Sequence, residues 1–150
     1  MLKNLEINSS KRNGINKRYI HAIILRLRKD LEFKLASLAI NFVLSEEIIE
    51  INKKFLNHHY STDIITFNYN GNHDILEGEI FISFEDAEAN AKKYGVKTDE
   101  EIIRLVIHGI LHLLGYDDQN NKDKLIMKRL ENKLCSDYWS VFRTVKIYNA

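Results

Sequence analysis

Proline is absent from this chain, cysteine occurs once, and glycine only six times. Without proline, turns must be made by Gly, Asn, Asp and Ser, and no helix is broken by a missing backbone N–H. The lone Cys135 excludes an internal disulfide framework and a cysteine-based zinc site. A half-buried place on a late helix is expected for it. No apolar run approaches the ~20 residues needed to span a bilayer, and the start, Met1-Leu2-Lys3-Asn4-Leu5-Glu6-Ile7-Asn8, lacks the apolar stretch of a secretory signal. A cytoplasmic location with no membrane partner is therefore expected. Neither sign of charge dominates, since 22 basic and 21 acidic residues leave a net +1. That balance neither demands nor forbids a nucleic-acid partner. Lys92/Lys93/Lys97 and Lys122/Lys124/Lys128/Arg129/Lys133 are local basic stripes, with solvated helix faces as the plainer reading.

What is present suits one domain over residues 1–150, with 45% hydrophobic and 29% charged residues. Residues 5–8 form a possible first strand. Asn16 can cap a helix running to about Lys29, with Tyr19, Ile20, Ile23, Ile24 and Leu27 at helical spacing. Residues 35–44 read as a strand, and Ser45 with Glu46 and Glu47 as the start of a helix to about Leu56. Residues 63–69 form the next strand. The Asn70-Gly71-Asn72 turn leads to an antiparallel partner at 79–83. Ser83 and Asp86 open a helix ending near Gly95, and Thr98-Asp99-Glu100-Glu101 reads as a capping box for the next. A last amphipathic helix covers about 121–134, and the aromatic tail 138–148 is expected to be irregular or extended. The pattern predicts an α+β fold: a small mixed sheet of about four strands covered by helices, with a central histidine-bearing helix.

The segment that carries chemistry is His108-Gly109-Ile110-Leu111-His112-Leu113-Leu114-Gly115-Tyr116-Asp117-Asp118. Histidines four apart on a helix lie ~5–6 Å apart at Cβ and can reach one cation. Gly115 can end the helix in a left-handed turn, and either Asp117 or Asp118 can then swing back toward the imidazoles. A few nitrogen or oxygen ligands with one position left open is the pattern of a catalytic zinc, so a hydrolase is expected. The spacing resembles that of metzincin sites. However, Gly109 stands where a zinc protease carries its glutamate base, which argues against peptide hydrolysis and not against metal.

At these residues the chain resembles the YbeY family of metal-dependent, single-strand-specific endoribonucleases of ribosomal RNA maturation. The family's His-Gly-x-Leu-His-Leu-x-Gly-Tyr-Asp-His stands here as residues 108–118. Two further blocks look like Leu56-Asn57-His58-His59-Tyr60 with Thr62-Asp63-Ile64-Ile65-Thr66-Phe67, and Gly78-Glu79-Ile80-Phe81-Ile82. Three departures stand out. Asp118 replaces the third histidine, Glu79 replaces an aspartate, and the segment after Tyr60 is short and lacks the usual arginine. The resemblance implies one Zn2+ or another divalent ion on His108, His112 and Asp118, and an anionic ligand would make it a weaker Lewis acid than three imidazoles. It implies Asp117 as an orienting group or alternative ligand, and Glu79 as a general base. It also implies single-stranded RNA of a ribosomal precursor as substrate, with the small ribosomal subunit as a possible partner. His58, His59 and Tyr60 would be substrate contacts; Tyr60, Phe67 and Tyr69 are candidates for stacking on bases, with core packing the plainer place for Phe67. His21 and His73 receive no role. A metallopeptidase with an unconventional base, or a non-catalytic assembly factor with a structural metal, are the competing readings.

Overall fold

The computed structural model describes residues 2–57 and 62–149. Four strands, β1 (Leu5–Ser9), β2 (Lys34–Val43), β3 (Ile64–Asn68) and β4 (Ile75–Ser83), make one sheet in the order β1-β2-β4-β3. β1, β2 and β4 run parallel and β3 returns antiparallel along the edge of β4. The fold is therefore α+β with a mixed four-stranded sheet, as the alternation of patterns predicts. Among the described residues five α-helices accompany it: α1 (Lys17–Leu31), α2 (Ser45–Ile51, continued by a π-helical turn Asn52–Leu56), α3 (Phe84–Tyr94), α4 (Thr98–Leu113) and α5 (Asn121–Phe142).

Side-chain alternation divides the sheet into two unequal faces. Leu38, Ile40 and Phe42 of β2 and Leu76, Ile80 and Ile82 of β4 join Ile20, Ile23, Ile24 and Leu27 of α1 and the apolar side of α4 in the main core. The opposite face carries a smaller cluster of Val43, Ile48 and Ile65, where α2 packs with Phe67 and Phe81. α4 is buried along most of its length because apolar residues stand on nearly every side of it. α5 lies outside α4, with Met127, Glu131, Leu134, Cys135, Tyr138 and Phe142 buried.

Several element ends differ from expectation, at α2 and α4 because a tertiary partner takes the place of a local one. No Thr98 side-chain cap forms; Asp99 instead accepts the Ile147 and Tyr148 backbone N–H groups (3.0 and 3.3 Å), and Glu101 turns to Asn90 (3.3 Å). Ser45 lies inside α2, and its N–H and hydroxyl donate to Glu85 at 2.9 and 2.6 Å. The Asn16 side chain makes no capping bond. β4 begins at Ile75 rather than 79, and α5 continues to Phe142, eight residues beyond the expected end. Tyr138 accounts for much of that extension: fully buried, it donates its hydroxyl to Asp30 at 2.7 Å. Only the last residues are extended, with Tyr148 bridged to Ile15. Cys135 is buried rather than half-buried, and burial pushes its thiol up to about 12, which keeps it unreactive.

Candidate metal centre

The two imidazoles sit on one face of the last turns of α4, and α4 ends there because Gly115 (φ +96°) takes a conformation that L side chains rarely adopt. The His73 ring packs against Gly115, where an added Cβ would lie 3.0 Å from it, and its Nδ1 is 3.3 Å from the Leu113 carbonyl oxygen. This unassigned histidine thus helps fix the reversal that brings residues 117 and 118 back.

His108 Nε2 and His112 Nε2 lie 3.0 Å apart, and His112 Nε2 is 3.6 Å from Asp118 Oδ2. Donor atoms of His108, His112 and Asp118 all fall within 4.8 Å of one another. Tetrahedral ligands at ~2.0–2.1 Å from zinc stand about 3.3 Å apart, so the His108–His112 spacing of 3.0 Å and the His112–Asp118 spacing of 3.6 Å suit a zinc-sized ion, and Asp118 would close toward His108 to complete the set. Asp117 does not join the cluster; its Oδ1 accepts the Gln119 backbone N–H at 3.0 Å. Burial, followed by the neighbouring His108, lowers the pKa of His112 against the opposing pull of Asp118 and Asp117. A neutral imidazole is the form that ligates.

Glu131 is a site residue that the motif reading missed. It reaches from α5 with its side chain only 4% exposed and meets His108 Nδ1 at 2.5 Å. Its other oxygen accepts from Arg104 Nη1 at 2.9 Å and lies 3.5 Å from Lys128 Nζ. Burial alone would push the Glu131 carboxyl up; the hydrogen bond and charge of His108, with Arg104 and Lys128, outweigh it and hold it below the usual range. Glu131 thereby fixes His108 with Nδ1–H donated outward and Nε2 free for a cation, the usual arrangement behind a ligating histidine. Its signal was present in principle: it is a carboxylate on the α5 stripe that also carries buried Met127, Leu134 and Cys135.

Glu79 is displaced from its expected role. Alternation along β4 points Gly78, Ile80 and Ile82 toward α4 and Glu79 to the opposite face. There it accepts from Asn41 Nδ2 and Tyr69 OH, both at 2.8 Å, and Asn8 donates to Asn41 at 2.8 Å, a polar ladder across the sheet. Burial and the bond to Glu79 push the Tyr69 phenol up to about 12. Phe67 and Tyr69 stack with centroids 6.3 Å apart on that same remote face, so neither borders the histidines. His58, His59 and Tyr60 lie outside the described residues.

Gly109 has a packing reason. A Cβ there would meet Ile80 Cδ1 at 2.9 Å and Ile64 Cδ1 at 3.1 Å, so the position faces the sheet at close approach and leaves no room for a glutamate base. Gly109→Ala is expected to leave Tm nearly unchanged, because the nearest atoms are the movable Cδ1 ends of Ile80 and Ile64 and alanine's better helix propensity, ~1 kcal/mol, offsets their displacement. A fall of more than about 5 °C in a thermal melt would contradict this.

Beside the donor cluster lies a cavity of 510 Å³ whose lining includes Arg104, Leu105, His108, Asp118, Lys128 and Glu131. Lys124 and Lys128, from the second basic stripe, border it. No helix among the described residues is long and apolar enough to cross a membrane.

A family model described as endoribonuclease YbeY matches residues 3–139. The chain belongs to the YbeY family. Among curated relatives named endoribonuclease YbeY, one from Bacteroides thetaiotaomicron is 43% identical over 67% of this chain and 72% of its own length. One from Bacteroides fragilis is 39% identical over 79% and 85%, and one from Chlorobium limicola 33% identical over 89% and 92%. The solution structure of TM1509 from Thermotoga maritima superposes with a TM-score of 0.66 at 26% identity, covering 93% of this chain and 92% of that one. YbeY membership supports an endoribonuclease role, a hydrolase with RNA as substrate.

Proposed function

We propose that this YbeY-family protein is a zinc-dependent endoribonuclease that cuts single-stranded RNA in the cytoplasm, during maturation of ribosomal RNA precursors and beside the small ribosomal subunit. The observation that carries the reading is the convergence of two imidazole nitrogens and one carboxylate oxygen at the mouth of a cavity. His108, His112 and Asp118 would hold the ion. When bound, it supplies Lewis acidity to a water and to the phosphoryl oxygens of the scissile phosphodiester. Glu131 keeps the His108 tautomer and ring plane fixed. Asp118, with its side chain 47% exposed, leaves the cluster open toward solvent, where a strand can approach. Its negative charge tempers the acidity of the site relative to three neutral imidazoles. With Glu79 on the other face of the sheet, the proton acceptor would fall to a group at the cluster itself, where Asp118 is the exposed carboxylate.

The test is incubation of the zinc-loaded protein with a single-stranded RNA, the same RNA annealed to its complement, and an unstructured peptide. Cleavage of the single strand alone, lost with chelator and restored by Zn2+, is the expected result. Peptide cleavage without RNA cleavage would establish a metallopeptidase instead. Equimolar metal with neither substrate cut would make the ion structural and the protein a non-catalytic assembly factor.

A further inference from the structure

The cavity beside the donor cluster carries no net positive charge for a polyanion, even with the proposed Zn2+ in place. Its lining holds five carboxylates, Asp118 and Glu131 among them, against Arg104, Lys124, Lys128 and the two charges of the ion. Arg104 is committed to Glu131 at 2.9 Å, and Lys128 lies 3.5 Å from the same carboxylate. An RNA strand carries a negative charge at every phosphate, and counterion release at lysine and arginine contacts supplies much of its binding. The cations that would hold it must therefore stand elsewhere.

They are concentrated where β1 leads into α1. A second concavity, of 700 Å³, is lined by Lys11, Arg12, Lys17, Arg18 and Asn149, with no acidic residue anywhere in its lining. The first turn of α1 carries no acid either. Arg12, Lys17 and Arg18 are exposed and, among the described residues, make no ion pair. Lys11 is the exception: it is held by the Tyr148 hydroxyl (3.3 Å) and by Glu88 (3.7 Å), and so serves as a wall of the site. In a chain of net charge +1, three unpaired cations on one concave surface stand out as a local field. The wall is rigid because the tail that closes it is tied down at Asp99 and at Gly14, whose carbonyl accepts the Asn149 N–H at 2.9 Å.

We propose that this concavity is a remote RNA-backbone site, in which Arg12, Lys17 and Arg18 contact phosphates of the strand being cut. The inference rests on the proposed RNA substrate. Asp99, which anchors the tail beside the concavity, and His112 lie on the same helix. At ~1.5 Å per residue the two ends are about 20 Å apart. The site therefore serves substrates long enough to reach from one end of α4 to the other, and short ones bypass it.

The test compares the zinc-loaded wild type with the Arg12→Gln/Lys17→Gln/Arg18→Gln triple variant, on a long oligouridylate and on a dinucleotide. With three phosphate contacts removed, the slope of log K against log salt for the long strand should become shallower by about 2. Its KM should rise at least about tenfold while kcat, cleavage of the dinucleotide, metal stoichiometry and Tm stay unchanged. An unaltered salt slope and KM would overturn the proposal. If the wild type cleaves no RNA at all, the active-site reading fails, and salt-dependent binding of the long strand to the two proteins still decides this site. Equal binding by both overturns it, and weaker, less salt-sensitive binding by the variant supports it.

Discussion

His112→Ala is expected to remove both metal binding and RNA cleavage while leaving the fold in place. Its side chain is 25% exposed at the end of α4, outside the apolar core, and alanine is a good helix former. The packing of α4 depends on Ile102, Ile103, Val106, Ile107, Ile110 and Leu111, which the substitution does not touch. With one of three protein donors gone, the remaining imidazole and carboxylate form a bidentate site open to exchange with buffer. Removing roughly 4 kcal/mol of charge stabilisation from the transition state corresponds to about a thousandfold loss of rate. Elemental analysis after dialysis should fall from one equivalent of zinc to near none, and the melt in chelator should match that of the metal-free wild type. Asp117→Ala is the contrasting variant: its carboxylate serves the Gln119 N–H, so metal content should persist. Retention of an equimolar ion and of cleavage in His112→Ala would remove the basis for the proposed centre.

The legible parts of this molecule were those written in short-range periodicity. The imidazole pair could be read because residues four apart share a helix face, and the Gly115 reversal because glycine tolerates a positive φ. The mixed sheet followed from strands alternating with helices, and the β3–β4 hairpin from its Asn-Gly turn. What could not be read depends on which face of the sheet a strand residue meets. Glu79 lies in a block that resembles a family motif, but the β4 register sends it to the side away from α4, beside Asn41 and Tyr69. The aromatic tail misled for a related reason. Tyr138 and Phe142 look like alternating strand residues, yet they continue at helical spacing the buried stripe of Leu134 and Cys135. Gly78 carries a long-range message of the same sort. A Cβ there would lie 2.3 Å from the Phe67 carbonyl oxygen, a constraint set by the neighbouring strand.

Glu131→Ala is expected to weaken zinc binding by about 10–100-fold and to destabilise the protein, two losses with one origin. The wild-type carboxylate is a hub: one oxygen holds His108 Nδ1 at 2.5 Å, and the other takes Arg104 at 2.9 Å with Lys128 nearby. Deleting it leaves the half-buried Arg104 with Asn132 Oδ1 at 3.0 Å and a distant Glu101 as partners, and leaves His108 free to rotate or to change tautomer. Breaking a fully buried charged pair from one side costs ~3–5 kcal/mol; Arg104, 31% exposed and still beside Glu101 and Asn132, should lose less than that. Glu131→Gln separates the two effects. It preserves the volume and can keep an acceptor on His108, while its amide nitrogen can offer nothing to the guanidinium. Its zinc affinity should therefore fall less than that of the alanine variant, with much of the stability loss retained. Competition against a zinc-sensitive chelator dye reads the affinity, and a melt of the metal-free protein reads the stability. A residue acting only as core packing would lower the metal-free Tm without moving the affinity of the molecules that remain folded, and that pattern would exclude Glu131 as the group that orients His108.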